Sequence, residues 1–247
     1  MKSVIIIPSR LHSTRLPEKP LITIEGKTLI QRVYEQALLC RNVADVIVAT
    51  DENKIYDHLG ALGYHVVLTD KNHVSGTDRV AEVAAGTDAD IIINVQGDEP
   101  LINPLQIEEL IEAFKDENVK IASQMSLIQD ENEIFDFNKV KVVTDINHKT
   151  LYFSRQAIPA QRDLPFSEWP DNTNYYKHIG IYGFRRKTLL DITKLEVSYL
   201  EKRESLEQLR WLENGFAIHC FPTSYESMGV DTPEDVIKVA AIIRMMG

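Results

Sequence analysis

Four short apolar runs, Val4–Ile7, Val46–Ala49, Val66–Leu68 and Ile91–Val95, are rich in β-branched residues and do not alternate with polar ones. Such runs fit strands buried on both faces of a parallel sheet, because a strand with one wet face alternates. Parallel neighbours need long crossovers, and the intervening residues supply them at helical spacing: Leu29, Val33 and Ala37; Val80, Val83 and Ala84; Ile107, Leu110, Ile111 and Phe114. The βαβα order predicts a doubly wound α/β fold around a mostly parallel sheet with right-handed crossovers.

The pattern changes after about residue 119. Val119–Leu127, Val140–Val143, Leu151–Phe153 and His178–Phe184 look like strands without regular intervening helices, which predicts a strand-rich lobe added to the main sheet. Gln161–Asn174 contains Pro165 and Pro170 and follows Pro159, so it reads as a surface loop. Leu206–Leu212 reads as a helix, Phe216–Phe221 as a strand and Thr232–Ile243 as a last helix, with Thr232 as N-cap, Pro233 at N1 and Asp235 at N3. Without repeats or low-complexity linkers, residues 1–247 read as one domain.

A formal charge of −10 disfavours a broad nucleic-acid or membrane footprint, which needs a basic face. Cys40 and Cys220 are too few for a disulfide framework or a CxxC metal site and read as small buried hydrophobes. The start has neither a signal-peptide core nor a membrane-length apolar run, so the expectation is a cytoplasmic protein without membrane insertion.

Ligands of open α/β sheets bind outside the carboxyl ends of the strands. The loop after the first strand, PSRLHSTRLPEKPL, places Arg10, Arg15 and Lys19 together without the glycines of a P-loop or dinucleotide motif. These cations suit a small anion such as a triphosphate through charge-assisted contacts; solvated surface charges are the alternative. NVQGDEP, after the fourth run, offers Asp98 and Glu99 at a strand end, suiting Mg²⁺ or marking a bland turn. Asp231 in GVDTPED reads most simply as a helix-start residue. Gly76 and Thr77 open a helix whose N–H groups could receive a base or a ribose hydroxyl. His178 and Tyr182 are four apart, so an unbroken strand points both to one face, where a polar, anionic second substrate could sit beside Arg155; a lone histidine in a strand is more often a satisfied structural residue. Glu207 and Gln208, opposite Leu206 and Leu209, read alone as a solvated helix face. Asp88–Asp90 matches a DxD pattern but precedes its strand and so belongs at the wrong end of the sheet.

Together PSRLHSTRLPEKPL, VATD, SGTDR, NVQGDEP, LYFSR, HIGIYGF, LEQLR and VDTPED, in this order, resemble the bacterial 3-deoxy-manno-octulosonate (Kdo) cytidylyltransferases over nearly the whole chain. The resemblance implies a Rossmann-like nucleotidyltransferase fold, with a dimerisation lobe at about 130–200, that transfers CMP from CTP to Kdo with release of pyrophosphate for lipopolysaccharide assembly. It implies Arg10, Arg15 and Lys19 on the phosphates and Ser75, Gly76 and Thr77 near the nucleoside. Gln96 would lie near the ribose or sugar. Asp98 and Asp231 would be the Mg²⁺ ligands, with Asp98, Asp231, Lys19 and Arg10 carrying the chemistry. Arg155, His178, Tyr182, Glu207 and Gln208 would line the Kdo pocket of a homodimer. Sialic acid and an 8-amino variant of Kdo are rival acceptors, and a silent nucleotide-binding regulator is the non-enzymatic rival. The chain departs from the family pattern at Ser9, usually alanine, and Glu18, usually glycine; an acid beside Lys19 weakens phosphate attraction unless it turns to solvent.

Overall fold

Along the first strand, β1 (Ser3–Ser9), Val4 and Ile6 join one hydrophobic cluster while Ile5 and Ile7 join another on the opposite face. The non-alternating run therefore marks a strand covered on both sides. Burying one such isoleucine contributes roughly 1.5–3 kcal/mol, which places β1 at the centre rather than at an edge. The computed structural model describes residues 1–11, 16–226 and 228–246.

The other strands are β2 (Thr23–Ile24), β3 (Lys27–Thr28), β4 (Asp45–Thr50), β5 (Val66–Leu68), β6 (Ile91–Asn94), β7 (Ile121–Leu127), β8 (Lys141–Thr144), β9 (Thr150–Ser154), β10 (Tyr176–Arg185) and β11 (Ile218–Pro222). The helices are α1 (Leu29–Leu38), α2 (Asn53–Ala61), α3 (Gly76–Ala85), α4 (Pro104–Glu112), α5 (Asn132–Phe135), α6 (Trp169–Asn172), α7 (Arg186–Ile192), α8 (Tyr199–Glu204), α9 (Gln208–Glu213) and α10 (Pro233–Met246). The main sheet runs β11-β7-β10-β6-β1-β4-β5. β10 is antiparallel to both neighbours, and the other pairs on this path are parallel, so the mostly parallel α/β expectation holds.

Two strands expected in the added lobe, β7 and β10, lie inside the main sheet, and β8 and β9 extend from β10. The apolar run His178–Phe184 reads equally well as a lobe strand or a central one; burial of Ile181 and Phe184 in the two main clusters decides for the centre. The Asp88–Asp90 pair lies at the amino end of β6, where Lys2 binds both aspartates, far from the strand ends that carry ligands. Both cysteines are free and buried, and burial pushes each thiol up to about 12.

A short 3₁₀ turn, Lys19–Leu21, follows the loop after β1, and Glu18 ahead of it is left-handed at φ 51° and ψ 32°. A side chain there is strained, and glycine would relieve the strain. The Glu18 carboxylate pairs with Lys54, both well exposed, so the acid is turned away from Lys19. Left-handed strain of roughly 1–2 kcal/mol outweighs the 0.4–1 kcal/mol or so of unfolded-chain entropy that glycine adds. Glu18→Gly therefore raises stability by about 0.5–1 kcal/mol in urea denaturation; a loss of stability would show that the Lys54 pair matters more than the strain.

Candidate active site

The carboxyl ends of β1, β4 and β6 open onto one edge of the sheet. After β6 the chain turns through Gln96, Gly97, Asp98 and Glu99. Gly97 sits so close to β1 that a Cβ there would lie 2.8 Å from the Pro8 carbonyl oxygen. The Asp98 carbonyl accepts from the Val230 N–H at 2.9 Å, which brings Asp231 alongside. Asp231 stands just before the start of α10, as expected, but it does not cap the helix: Asp235 Oδ2 accepts from the Asp231 and Thr232 N–H groups at 3.0 and 2.9 Å, while Thr232 Oγ1 accepts from Asp235 N–H at 3.3 Å, the expected capping box. Thr232 caps α10 with Asp235 completing the box, and the Asp231 carboxylate turns to Lys19.

Lys19 Nζ donates to Asp98 Oδ2 at 2.6 Å and to Asp231 Oδ1 at 2.9 Å. Burial works against the ammonium, but the two carboxylates outweigh it and hold the Lys19 pKa above its ordinary value. Two carboxylates from separate loops already converge on one cation, and their hard oxygen donors suit Mg²⁺, which takes one or two protein carboxylates together with phosphates and water. Among the described residues no group of three or more His, Cys, Asp or Glu is placed to hold a metal ion by itself.

Ser75 caps α3 through a reciprocal box with Asp78, and Gly76 packs against the Pro8 ring. Thr77 Oγ1 donates to Glu207 Oε2 at 2.6 Å. The solvated-face reading of Glu207 and Gln208 gives way here: Gln208 is buried, and Glu207 is half-buried against Ser75 and Thr77. Burial pushes the Glu207 carboxyl up from its ordinary range, although those two hydroxyls oppose the shift. Expected nucleoside and sugar residues thus share one wall.

β10 is not an unbroken strand. Its register against β7 slips between Ile179, opposite Gln124, and Tyr182, opposite Ser123, so Gly180 and Ile181 form a two-residue bulge. Two extra residues preserve the parity of the pleat, and the His178 and Tyr182 rings stay on one face, 5.2 Å apart. Gln96 Nε2 donates to the bulge carbonyl of Gly180 at 3.3 Å. Ser123 Oγ is 2.8 Å from the Ile181 carbonyl, 3.1 Å from that of Ile179 and 2.8 Å from His178 Nε2. Its single proton goes to a carbonyl, so His178 Nε2–H is the donor to Ser123 and Nδ1 is left as an acceptor. The Tyr182 hydroxyl is buried, has no hydrogen-bond partner among the described residues and is kept protonated by burial. Beside these rings lies a cavity of about 730 Å³, lined by Glu99, Lys177, His178, Gly180, Glu226 and Asp231 among others.

Burial lowers the His178 pKa to about 3 from 6.5. The folded value lies below the unfolded one, so the unfolded chain protonates first. The stabilising contribution is complete above about pH 6.5 and is lost as pH falls from there towards 3, at no more than about 1.4 kcal/mol per pH unit. The His178 Cε1–H resonance should therefore not titrate between about pH 5 and 8, and His178→Gln should flatten the acid limb of the stability curve. A midpoint near 6.5 in that resonance would overturn the neutral assignment.

Arg10 is exposed directly after β1, and Arg15 lies outside the described residues. Arg155 donates to the carbonyls of Glu204 at 2.6 Å, Phe137 at 2.9 Å and Ser205 at 3.3 Å. It braces the turn that precedes Glu207 and does not line the cavity described above. Residues not singled out from sequence also matter here. Ser123 sets the His178 tautomer, and its only sequence signal is a hydroxyl in an apolar run. Arg79, 1% exposed, reaches Asp51 Oδ2 at 3.1 Å and ties the end of β4 to α3. Lys177 is clasped by Glu133 at 2.7 Å and Glu226 at 3.1 Å on the cavity wall.

The sequence profile of the cytidylyltransferase family matches residues 4–221. The 3-deoxy-manno-octulosonate cytidylyltransferase of Parabacteroides distasonis is 45% identical over 250 residues, covering 98% of each chain. That of Cytophaga hutchinsonii is 46% identical over 239 residues, covering 96% of this chain and 95% of its own. A solved structure of CMP:2-keto-3-deoxy-manno-octonic acid synthetase complexed with CTP superposes with a TM-score of 0.93 at 40% identity, covering all of both chains. A Leptospira borgpetersenii cytidylyltransferase, at 17% identity and a TM-score of 0.65, shares the fold. With the fold, the paired carboxylates and these likenesses in agreement, the chain belongs to the cytidylyltransferase family, among the 3-deoxy-manno-octulosonate cytidylyltransferases.

Proposed function

We propose that this chain transfers the cytidylyl group of CTP to the anomeric hydroxyl of Kdo. The observation that carries the reading is the convergence of Asp98, Asp231 and Lys19 beside a cavity bordered by the neutral His178 and, on the same face, Tyr182. The hydroxyl oxygen attacks the α-phosphorus in line; the O–Pα bond to the β-phosphate breaks, pyrophosphate leaves, and the hydroxyl proton passes to water. Arg10, Arg15 and Lys19 bind the triphosphate and offset charge that builds on the leaving group. Ser75, Gly76 and Thr77 seat the nucleoside, and Gln96 sits between ribose and sugar. His178 Nδ1 accepts from a sugar hydroxyl and the unpartnered Tyr182 hydroxyl donates to another, with Glu207 and Gln208 on the adjoining wall and Arg155 bracing it. Mg²⁺ held by Asp98 and Asp231 would polarise the α-phosphate and fix its orientation. The remainder of catalysis is positioning, so no covalent intermediate with the chain is needed.

A second copy of the chain is the proposed partner, and the lobe at about 130–200 is its proposed contact. Phe135, Phe137, Leu151 and Phe166 there are 42–68% exposed, and Phe135 and Phe166 pack edge to face. A cytoplasmic location is proposed as well; among the described residues no helix is long and apolar enough to cross a membrane.

The test is pyrophosphate release with CTP and Mg²⁺, comparing Kdo, 8-amino-Kdo and sialic acid, with UTP and ATP as controls. CTP with Kdo should exceed every other pairing by about tenfold or more, a gap that polar pocket contacts readily supply. A faster reaction with another sugar acid would move the acceptor assignment to that sugar. No release with any acceptor would leave a nucleotide-binding protein.

A further inference from the structure

We propose that the Lys19 ammonium is the resident cation of the Asp98–Asp231 pair, excluding a divalent metal until CTP draws the ammonium onto its phosphates. The inference rests on the reading of those two aspartates as metal ligands and adds to it an order of loading.

Lys19 Nζ lies 2.6 Å from one carboxylate and 2.9 Å from the other, the position that a cation bridging both would take. A divalent ion cannot enter beside it: an ammonium and a metal competing for the same two oxygens repel in proportion to the product of their charges. The ammonium lies between the two carboxylates and offsets part of their negative charge, so the nucleotide-free site is a poorer trap for metal. The side chain is also held in place. Its exposure is 14%, and its backbone is pinned by the Leu21 N–H to Glu18 carbonyl bond of the 3₁₀ turn, so the cation does not simply drift into solvent. Arrival of a triphosphate changes the balance, since its oxygens offer the ammonium equal or better partners while the metal brings two charges for the vacated carboxylates. By linkage, whatever CTP does to metal affinity the metal does to CTP affinity. The bridge thus makes cation exchange part of nucleotide binding, and the pair of aspartates stays pre-assembled in between.

The experiment is Mn²⁺ binding to the full chain without nucleotide, read from the electron paramagnetic resonance signal of free Mn²⁺. The wild type and Lys19→Arg, which keeps the charge, should bind weakly. Lys19→Met and Lys19→Gln, which remove it, should bind at least about tenfold tighter, and adding Asp98→Asn to Lys19→Met should abolish that gain. Circular dichroism melts check that each variant is folded, and the two neutral variants guard against a folding failure in one. Wild type binding Mn²⁺ as tightly as the neutral variants, with both lost on Asp98→Asn, would overturn the exclusion while leaving the aspartates as metal ligands. No Mn²⁺ binding in either folded neutral variant would overturn the exclusion too, and the metal reading would then stand or fall with the turnover of Asp98→Asn.

Discussion

Asp98→Asn lowers kcat for pyrophosphate release by about 1,000-fold, roughly 4 kcal/mol of transition-state stabilisation at 1.36 kcal/mol per decade, and leaves the fold intact. The two halves of this expectation have different physical origins. Asn keeps the shape and one oxygen, so the turn after β6 and its backbone bond from Val230 persist. What disappears is one of the two negative charges that meet the cation, and the loss is felt most where charge develops. The Asp98 side chain is 33% exposed, and an ion pair of that kind contributes only about 0–1 kcal/mol to folding. The melting temperature should accordingly move by no more than about 3 °C. Asp231→Asn should act in the same direction, and the double variant should lose less than the sum because the residues work as one unit. Turnover within tenfold of wild type under saturating CTP and Kdo would remove Asp98 from the chemistry.

Gly97→Ala strikes the same turn through space rather than charge. Gly97 does not have a left-handed φ, so alanine suits its backbone; the obstacle is the Pro8 carbonyl at 2.8 Å from the added Cβ, with Ile30 Cδ1 at 3.4 Å. A backbone oxygen at the end of β1 cannot rotate aside as a side chain would. Either β1 or the Asp98 turn must shift, at a cost of roughly 1–3 kcal/mol, or about 5 °C in melting temperature. Because Pro8 leads directly into the cation loop and Gly97 precedes Asp98, the shift changes the relative placement of phosphates and carboxylates. Displacements of this size at a reacting centre cost about 100-fold in kcat/KM. A variant as stable and as active as wild type would mean that the close approach is slack.

The sheet is readable in the sequence where burial is two-sided. β1, β4 and β6 announce themselves as apolar runs because both faces are covered, and α1, α3 and α4 carry full apolar stripes between them; β5, read from an equally apolar run, is instead the half-buried edge strand, with Leu68 45% exposed. α2 gives no such signal, since it buries only Ile55 and Leu59. The β10 bulge is invisible because Gly180 and Ile181 are unremarkable in a strand; only the pairing with β7 exposes the slip. The capping box of Thr232 and Asp235 at the start of α10 is legible from their spacing, whereas the turn of Asp231 towards Lys19 is not. The candidate site is legible as a set of residue types at strand ends, but its contacts are not. That Glu207 meets Thr77, that Lys19 lies between two aspartates, and that Arg155 braces a turn all depend on segments distant in sequence. No local pattern encodes those meetings.

The Lys19 bridge has a consequence for how the chain matures. Its two carboxylate partners lie 79 and 212 residues further along, so the second is synthesised well after the first. β11, the last strand, must also find its place beside β7 before the segment carrying Val230 can close on Asp98. Contacts of such long sequence separation form late and slowly. During synthesis the nascent chain therefore passes through a stage with a half-built sheet and a lysine held by one acid at most. A protease cut in the stretch between β11 and α10 should therefore abolish turnover well before it unfolds the sheet.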